Sequence, residues 1–169
     1  MPETRNPTTG SRRPRGLDDR DIAILRELQA NARISNAELS RRVHLSATPC
    51  MERVRRLERE GYIDGYATLL NPSRLDAALL VFVELTLDRT TKDAFATFAE
   101  AVQQIPELLE CHMVAGGFDY LLKVRARDMD DYRRLLGESL VTIPGVSQTH
   151  TYVVMEQVKE SVALPIHGE

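Results

Sequence analysis

Long apolar runs are missing from this chain. The longest, Ala77-Ala-Leu-Leu-Val-Phe-Val83, has seven residues, far short of the ~20 that a bilayer-spanning helix needs. Arginines near the start are followed by no apolar stretch, so no secretory signal is expected and the expected location is the cytoplasm. Cysteine is scarce. Cys50 and Cys111 stand far apart with no Cys-x-x-Cys pairing, which argues against a zinc site or a disulfide framework and fits a reducing compartment. Paired carboxylates at catalytic spacing, clustered metal ligands and a nucleotide-binding glycine loop are also missing, so neither an enzyme nor a resident metal or cofactor is expected. Lysine is absent from residues 1–63, which carry 13 arginines against 9 acids.

That last absence points to what is present. The first 63 residues have a net charge of +4 and the remainder −7. A positive half built only from arginine suits contacts to phosphates and base edges; compositional bias in an arginine-rich genome is the plainer alternative. The chain has 169 residues, 43% of them hydrophobic, enough for one ordinary domain or two small ones.

Residues 1–16 are rich in proline and arginine and read as a flexible basic arm, either touching DNA phosphates or simply solvated. Asp18 opens a helix, with Asp21 in its first turn and Leu17 and Ile22 placed for a hydrophobic staple. Ile22, Leu25 and Leu28 give its apolar stripe. Ser35-Asn-Ala-Glu38 is a capping box that starts a second helix, with Ala37, Leu39 and Val43 turned inward. After a short turn, Ser46 or Thr48 caps a third helix that tolerates Pro49 in its first turn and ends at Gly61. Tyr62–Leu70 alternates like a wing or linker strand, ahead of Asn71-Pro72. Three helices and a strand in this order make a winged helix-turn-helix.

A β-α-β-β-α-β pattern follows, the order of a ferredoxin-like domain. Leu79–Leu87 alternates as a strand. A helix carries Phe95, Phe98, Val102 and Ile105. Two strands, Leu108–Val114 and Phe118–Arg125, flank a Gly116-Gly117 turn. A second helix starts at Asp128, and Val146–Val158 reads as a long last strand. Leu80 and Phe82 make the sheet's second face too apolar for water, so that face is expected to pack on another subunit. The chain thus divides into the arm 1–16, a helix-turn-helix domain 17–63, a linker strand 64–77, a sheet domain 78–160 and a tail 161–169. The fold class is α+β.

The third helix carries both a cysteine and four arginines. Unrolled at roughly 100° per residue, Cys50, Val54 and Leu57 share one stripe, so Cys50 points into the bundle as a small hydrophobe and not as a reactive thiol. Thr48, Glu52, Arg55, Arg56 and Arg59 fall on the opposite side, with Arg53 at its edge. Arginine forks onto guanine, and Ala47 and Thr48 suit a thymine methyl. The alternative is a solvated face with Glu52 and Arg56 paired at i,i+4; Arg55 and Arg59 repel at the same spacing, which favours an anionic partner.

Several runs are similar to the Lrp/AsnC, or feast/famine, family of bacterial transcription regulators. They include Ala32-Arg-Ile-Ser-Asn36, Leu45-Ser-x-Thr-Pro-Cys50, Glu52-Arg-Val-Arg-Arg-Leu-Glu-Arg59, Phe118-Asp-Tyr-Leu-Leu-Lys123 and Thr151-Tyr-Val-Val-Met-Glu156. The similarity runs from about Leu17 to Lys159. It implies a double-stranded DNA partner, a C-terminal effector-binding and oligomerising domain of the type called RAM, and dimers that assemble further, commonly to octamers. It also implies an amino-acid effector such as leucine, bound between dimers. Either a broad regulator of amino-acid metabolism or a local regulator of one catabolic operon fits it. Carried over residue by residue, the DNA-facing set is Arg33, Ser35, Asn36, Ser46, Ala47, Thr48, Pro49, Glu52, Arg53, Arg55, Arg56 and Arg59. The effector set is Met113, Ala115, Gly116, Gly117, Phe118, Asp119, Met129, Val153 and Val154. In it, the glycines would bring backbone N–H groups to a carboxylate and Asp119 would take an ammonium group. A plain β-hairpin turn is the other reading of that loop.

Overall fold

The structure, a computed structural model, describes residues 16–167. The arm read at residues 1–16 lies outside them except for Gly16. Two compact units form: one ends at Thr68 and takes in the segment from Glu160 onward, and the other spans Leu69–Lys159.

The first unit is a three-helix bundle of α1 (Asp19–Ala30), α2 (Asn36–Arg42) and α3 (Ala47–Arg59). Asp18 caps α1 in a reciprocal box: its carboxylate accepts the Asp21 N–H at 2.9 Å, and Asp21 accepts the Asp18 N–H at 3.0 Å. Two otherwise orphaned helix donors are thereby satisfied. Ile22 and Ile24 are the fully buried apolar residues of α1, while Leu25 and Leu28 are only partly buried. The single stripe expected at Ile22, Leu25 and Leu28 is too narrow because α1 packs on both α2 and α3.

Ser35 caps α2 by accepting the Glu38 N–H at 3.2 Å. Only half of the expected capping box forms, because the Glu38 carboxylate turns to Arg41 and Arg42 at 2.7 Å. Leu39 and Val43 are buried but Ala37 is exposed, a correction to the inward face read for α2. His44 takes a left-handed conformation (φ 54°) in the turn before α3. The end of α3 is a paired stop: Tyr62 N–H reaches Leu57 O and Gly61 N–H reaches Glu58 O, with Gly61 at φ 73°. Only glycine takes that backbone shape without strain.

The strand expected over Tyr62–Leu70 is not formed. The segment has no ladder partner among the described residues and leads into a single 3-10 turn, Pro72–Arg74, capped by Asn71. Alternation makes a strand only where a second backbone is at hand. The 161–169 tail is not a bare appendage in its described part, since Ile166 packs on the α1–α3 core.

The second unit runs β1 (Leu79–Leu87), α4 (Lys92–Val102), β2 (Leu108–Met113), β3 (Tyr120–Ala126), α5 (Met129–Leu135, continuing as a π-turn through Leu140) and β4 (Val146–Val153). The sheet is antiparallel in the order β2-β3-β1-β4, the ferredoxin-like arrangement. Val81, Val83, Leu85 and Leu87 of β1 and Leu122 and Val124 of β3 meet Phe98, Val102, Tyr132 and Leu140 in its core. The last strand stops at Val153, short of the expected Val158, because β1 begins at Leu79 and Val81 is already paired with Val153. Leu80 is buried within its own unit and Phe82 half-buried, so Phe82 supplies more of the open apolar surface.

Candidate nucleic-acid interface and effector loop

The apolar face of α3 fixes what its other face presents. Cys50 and Leu57 are fully buried and Val54 nearly so. Burial pushes the Cys50 thiol up, and the nearby Arg53 only partly offsets this. A thiol so placed stays protonated and inert. Ser46, Ala47, Thr48, Pro49, Glu52, Arg55 and Arg59 are exposed along the same helix. Ser46 sits at the N-cap position but makes no side-chain cap bond.

The four arginines of α3 do not behave alike. Arg55 is exposed and has no carboxylate partner among the described residues. Among the described residues, Arg59 has only a long 3.9 Å contact to Glu60. Arg53 and Arg56 instead turn toward α1. Arg53 Nη1 lies 2.6 Å from Asp18 and 2.8 Å from Asp21, and Arg56 Nη2 lies 2.6 Å from the other Asp21 oxygen. The Arg56 contact is an ion pair at short range, not an aligned hydrogen bond. Arg56 therefore does not pair with Glu52 as the solvated-face reading required. Asp21 is 1% exposed. Burial alone would raise its pKa, but the Arg56 guanidinium, the Asp18 backbone N–H and the Arg53 guanidinium against its oxygens lower it to about 2.

At the start of α2, Arg33, Ser35 and Asn36 are exposed. Ser35 is occupied in capping, and the Arg33 N–H is held by Asn31 at 3.0 Å. Farther along α2, Arg41 and Arg42 are neutralised by Glu38, whose pKa falls to about 2 through their hydrogen bonds, and Arg42 also by Glu27. Sequence reasoning missed both clusters. The Glu38 pairings were visible as i,i+3 and i,i+4 spacings; the Asp21 pairing joins two helices and left no local signal.

In the second unit the effector set separates into two groups. Met113 and the 115–119 loop lie at one end of the sheet, where Met113 pairs with Tyr120 and Tyr120 with Leu85. Val153 pairs with Val81, and Val154 donates its N–H to the Leu80 carbonyl, at the other end. Met129 opens α5 just beyond Ala126, which pairs with Leu79 at that same end. Four residues of strand, roughly 13 Å, separate the ends, and Met113 and Val153 sit on opposite edge strands. The loop itself is anchored: Asp119 accepts the Leu87 N–H at 2.8 Å, and the Val114 N–H reaches the Asp119 carbonyl at 2.9 Å. Ala115, Gly116 and Gly117 are exposed, Phe118 is half-buried, and a side chain at either glycine would meet open space. Met113, Met129 and Val153 are 60%, 44% and 41% exposed, large apolar side chains left uncovered.

Comparison with known proteins agrees with this division. A family model for the Lrp/AsnC ligand binding domain matches residues 80–164, and one for winged helix-turn-helix DNA-binding matches residues 17–64. The chain is 61% identical over 158 residues to the leucine-responsive regulatory protein of Serratia marcescens, covering 93% of this chain and 96% of that protein. It is 62% identical over 150 residues to the protein of that name from Escherichia coli K12, covering 89% and 92%. Among solved structures, a Neisseria meningitidis transcriptional regulator in complex with L-Met superposes with a TM-score of 0.84 at 38% identity, covering 88% of this chain and 96% of that one. The leucine response regulatory protein of Mycobacterium tuberculosis gives 0.73 at 32% identity, covering 89% and 99%.

Proposed function

The chain belongs to the Lrp/AsnC family of transcriptional regulators and is a DNA-binding regulator responsive to an amino acid, not an enzyme; from that premise we propose which of its surfaces do the work. The N-terminal end and exposed face of α3 enter the major groove. Ala47, Thr48 and Glu52 face base edges, and Arg55 and Arg59 reach phosphate. The observation that carries this reading is Arg55, exposed and without a carboxylate partner among the described residues, on a helix whose opposite face buries Cys50, Val54 and Leu57. Two such helices in a dimer meet half-sites about one helical turn, or a multiple of it, apart. The regulator works in the cytoplasm on genes of amino-acid metabolism.

The effector is an amino acid with an apolar side chain, leucine being the first choice because the curated relatives carry that name. Its carboxylate meets backbone N–H groups of Gly116 and Gly117, and its ammonium meets the free oxygen of Asp119. Met113, Met129, Val153 and Val154 line its side chain. Because those residues stand at opposite ends of one sheet, the complete site needs a second copy of the chain, one supplying the loop and the other the Met129–Val153–Val154 end. Effector binding then acts by favouring one assembly over another, since a ligand shifts only states that it binds unequally.

Footprinting upstream of the protein's own gene, with each amino acid added in turn, tests both halves. Protection spaced by about one helical turn and altered by leucine or a similar apolar amino acid is expected. Protection indifferent to every amino acid would remove the effector assignment. Gel-shift titrations of Arg55→Ala in rising salt test the helix: a weaker, flatter response is expected.

A further inference from the structure

We infer that Asp21 is the positioning residue of the DNA-binding helix and sets how much of that helix's arginine charge reaches DNA, by holding Arg53 and Arg56. The inference rests on the reading that α3 meets DNA.

Asp21 occupies the third residue of α1 and is 1% exposed. Its two oxygens face two different guanidinium groups, Arg53 at 2.8 Å and Arg56 at 2.6 Å, and Arg53 also reaches Asp18 at 2.6 Å. Two carboxylates and two guanidinium groups thus form a locally neutral quartet between the start of α1 and the middle of α3. Pro49 and Glu52 border the same shallow hollow, so the quartet sits beside the exposed reading face. A buried carboxylate with a guanidinium group on each oxygen is tied to α3 at two points; it fixes the rotation of α3 about its own axis.

The second consequence is electrostatic. Attraction to any DNA grows with each cation that displaces counterions from phosphate. With all four arginines free, α3 would grip every sequence strongly. With Arg53 and Arg56 neutralised, Arg55 and Arg59 remain as its available charges. A larger share of the binding then comes from base-edge contacts, and discrimination rises. Asp21 reaches no DNA itself; it acts through the two arginines.

The test uses the full chain and two probes, a duplex that the protein selects from a randomised pool and a duplex of random sequence. Affinity is followed through a salt series for wild type, Asp21→Asn, Arg56→Gln and Arg55→Gln. Asn preserves an acceptor for the α1 cap but removes the charge. Asp21→Asn is expected to steepen the slope of log affinity against log salt by about 1 to 2 per bound subunit, as one or two arginines are freed. It should also lower the selected-to-random affinity ratio several-fold. A merely destabilised helix would not steepen that slope. Arg55→Gln is expected to flatten the slope by about 1, and Arg56→Gln by less than half as much. An unchanged or flatter slope in Asp21→Asn, with Arg55→Gln flattened, overturns the inference and leaves the DNA-binding reading standing. If Arg55→Gln does not flatten the slope, α3 is not the DNA contact and both fall. Should Asp21→Asn fail to fold, Arg56→Gln decides: flattening equal to that of Arg55→Gln overturns the inference, and a smaller effect supports it.

Discussion

The Asp119 carboxylate accepts the backbone N–H of Leu87 at 2.8 Å, and the Asp119 N–H donates to the Leu85 carbonyl at 3.0 Å. This residue therefore stitches the 114–119 loop to β1 before any ligand arrives, with one oxygen left for an ammonium group. Structure and binding separate on substitution. Asp119→Asn keeps an acceptor for Leu87 but loses the charge, so it is expected to melt within about 2 °C of wild type while DNA binding stops responding to the amino acid. Asp119→Ala gives up the hydrogen bond too, at about 1–2 kcal/mol. Thermal melts and gel shifts with and without leucine read both, and a normal response from Asp119→Asn would sink the loop assignment.

Acid should weaken the helical unit through Asp21. Its folded pKa, about 2, lies below the ordinary 3.8. A lowered carboxylate pKa contributes stability that is complete above the ordinary value and is lost as pH falls through it toward the folded one. The contribution is about 2 kcal/mol. Urea melts at about pH 6 and about pH 3 should show a smaller acid loss in Asp21→Asn than in wild type. Equal losses would mean that other carboxylates carry the acid sensitivity.

The contrast between Asp18 and Asp21 shows how far sequence reached. Asp18 as a cap, Ser35 as a cap, Gly61 as a helix end and the β-α-β-β-α-β order were legible, because each depends on residues close in the chain or on simple periodicity. Cys50 was legible as core for the same reason: a cysteine, Val54 and Leu57 on one stripe leave no other place for it. What Asp21 does was not legible, since its partners lie 32 and 35 residues further along on another helix. Arg53 and Arg56 could be placed on one side of α3 but not assigned to α1 or to DNA. The strand at Tyr62–Leu70 went wrong for a related reason: alternation describes one chain, and a strand requires two. The split of the effector residues between the sheet's ends likewise needed the strand register.

Cys50 should be chemically silent. A thiol reagent applied to the native protein is expected to leave Cys50 untouched until the helical unit opens, because the side chain is fully buried and burial holds the thiol protonated. Cys50→Ser places a hydroxyl in that apolar site and should cost about 1–3 kcal/mol, whereas Cys50→Ala leaves only a small void. Labelling followed by peptide mapping reads the first expectation and denaturant melts the second. Rapid native labelling at Cys50 would contradict the buried stripe on which the α3 reading depends.

The segment after Glu160 should stabilise the helical unit. The Gln29 side-chain amide makes two hydrogen bonds to the Leu164 backbone, donating to its carbonyl at 2.9 Å and accepting its N–H at 3.0 Å. Arg26 donates to the Ile166 carbonyl at 2.9 Å, and the Ile166 side chain packs on the bundle core. These polar contacts are exposed, so each is worth at most about 1 kcal/mol; covering core with Ile166 adds about 1–2 kcal/mol. Deleting residues 161–169 should therefore cost more than Gln29→Ala, and Ile166→Ala should recover most of the difference between them. Denaturant melts of the three variants give the ranking, and slowed hydrogen exchange at the Leu164 amide, lost in Gln29→Ala, locates the contact. A truncated chain that melts with wild type would show that the segment rests on α1 without holding it.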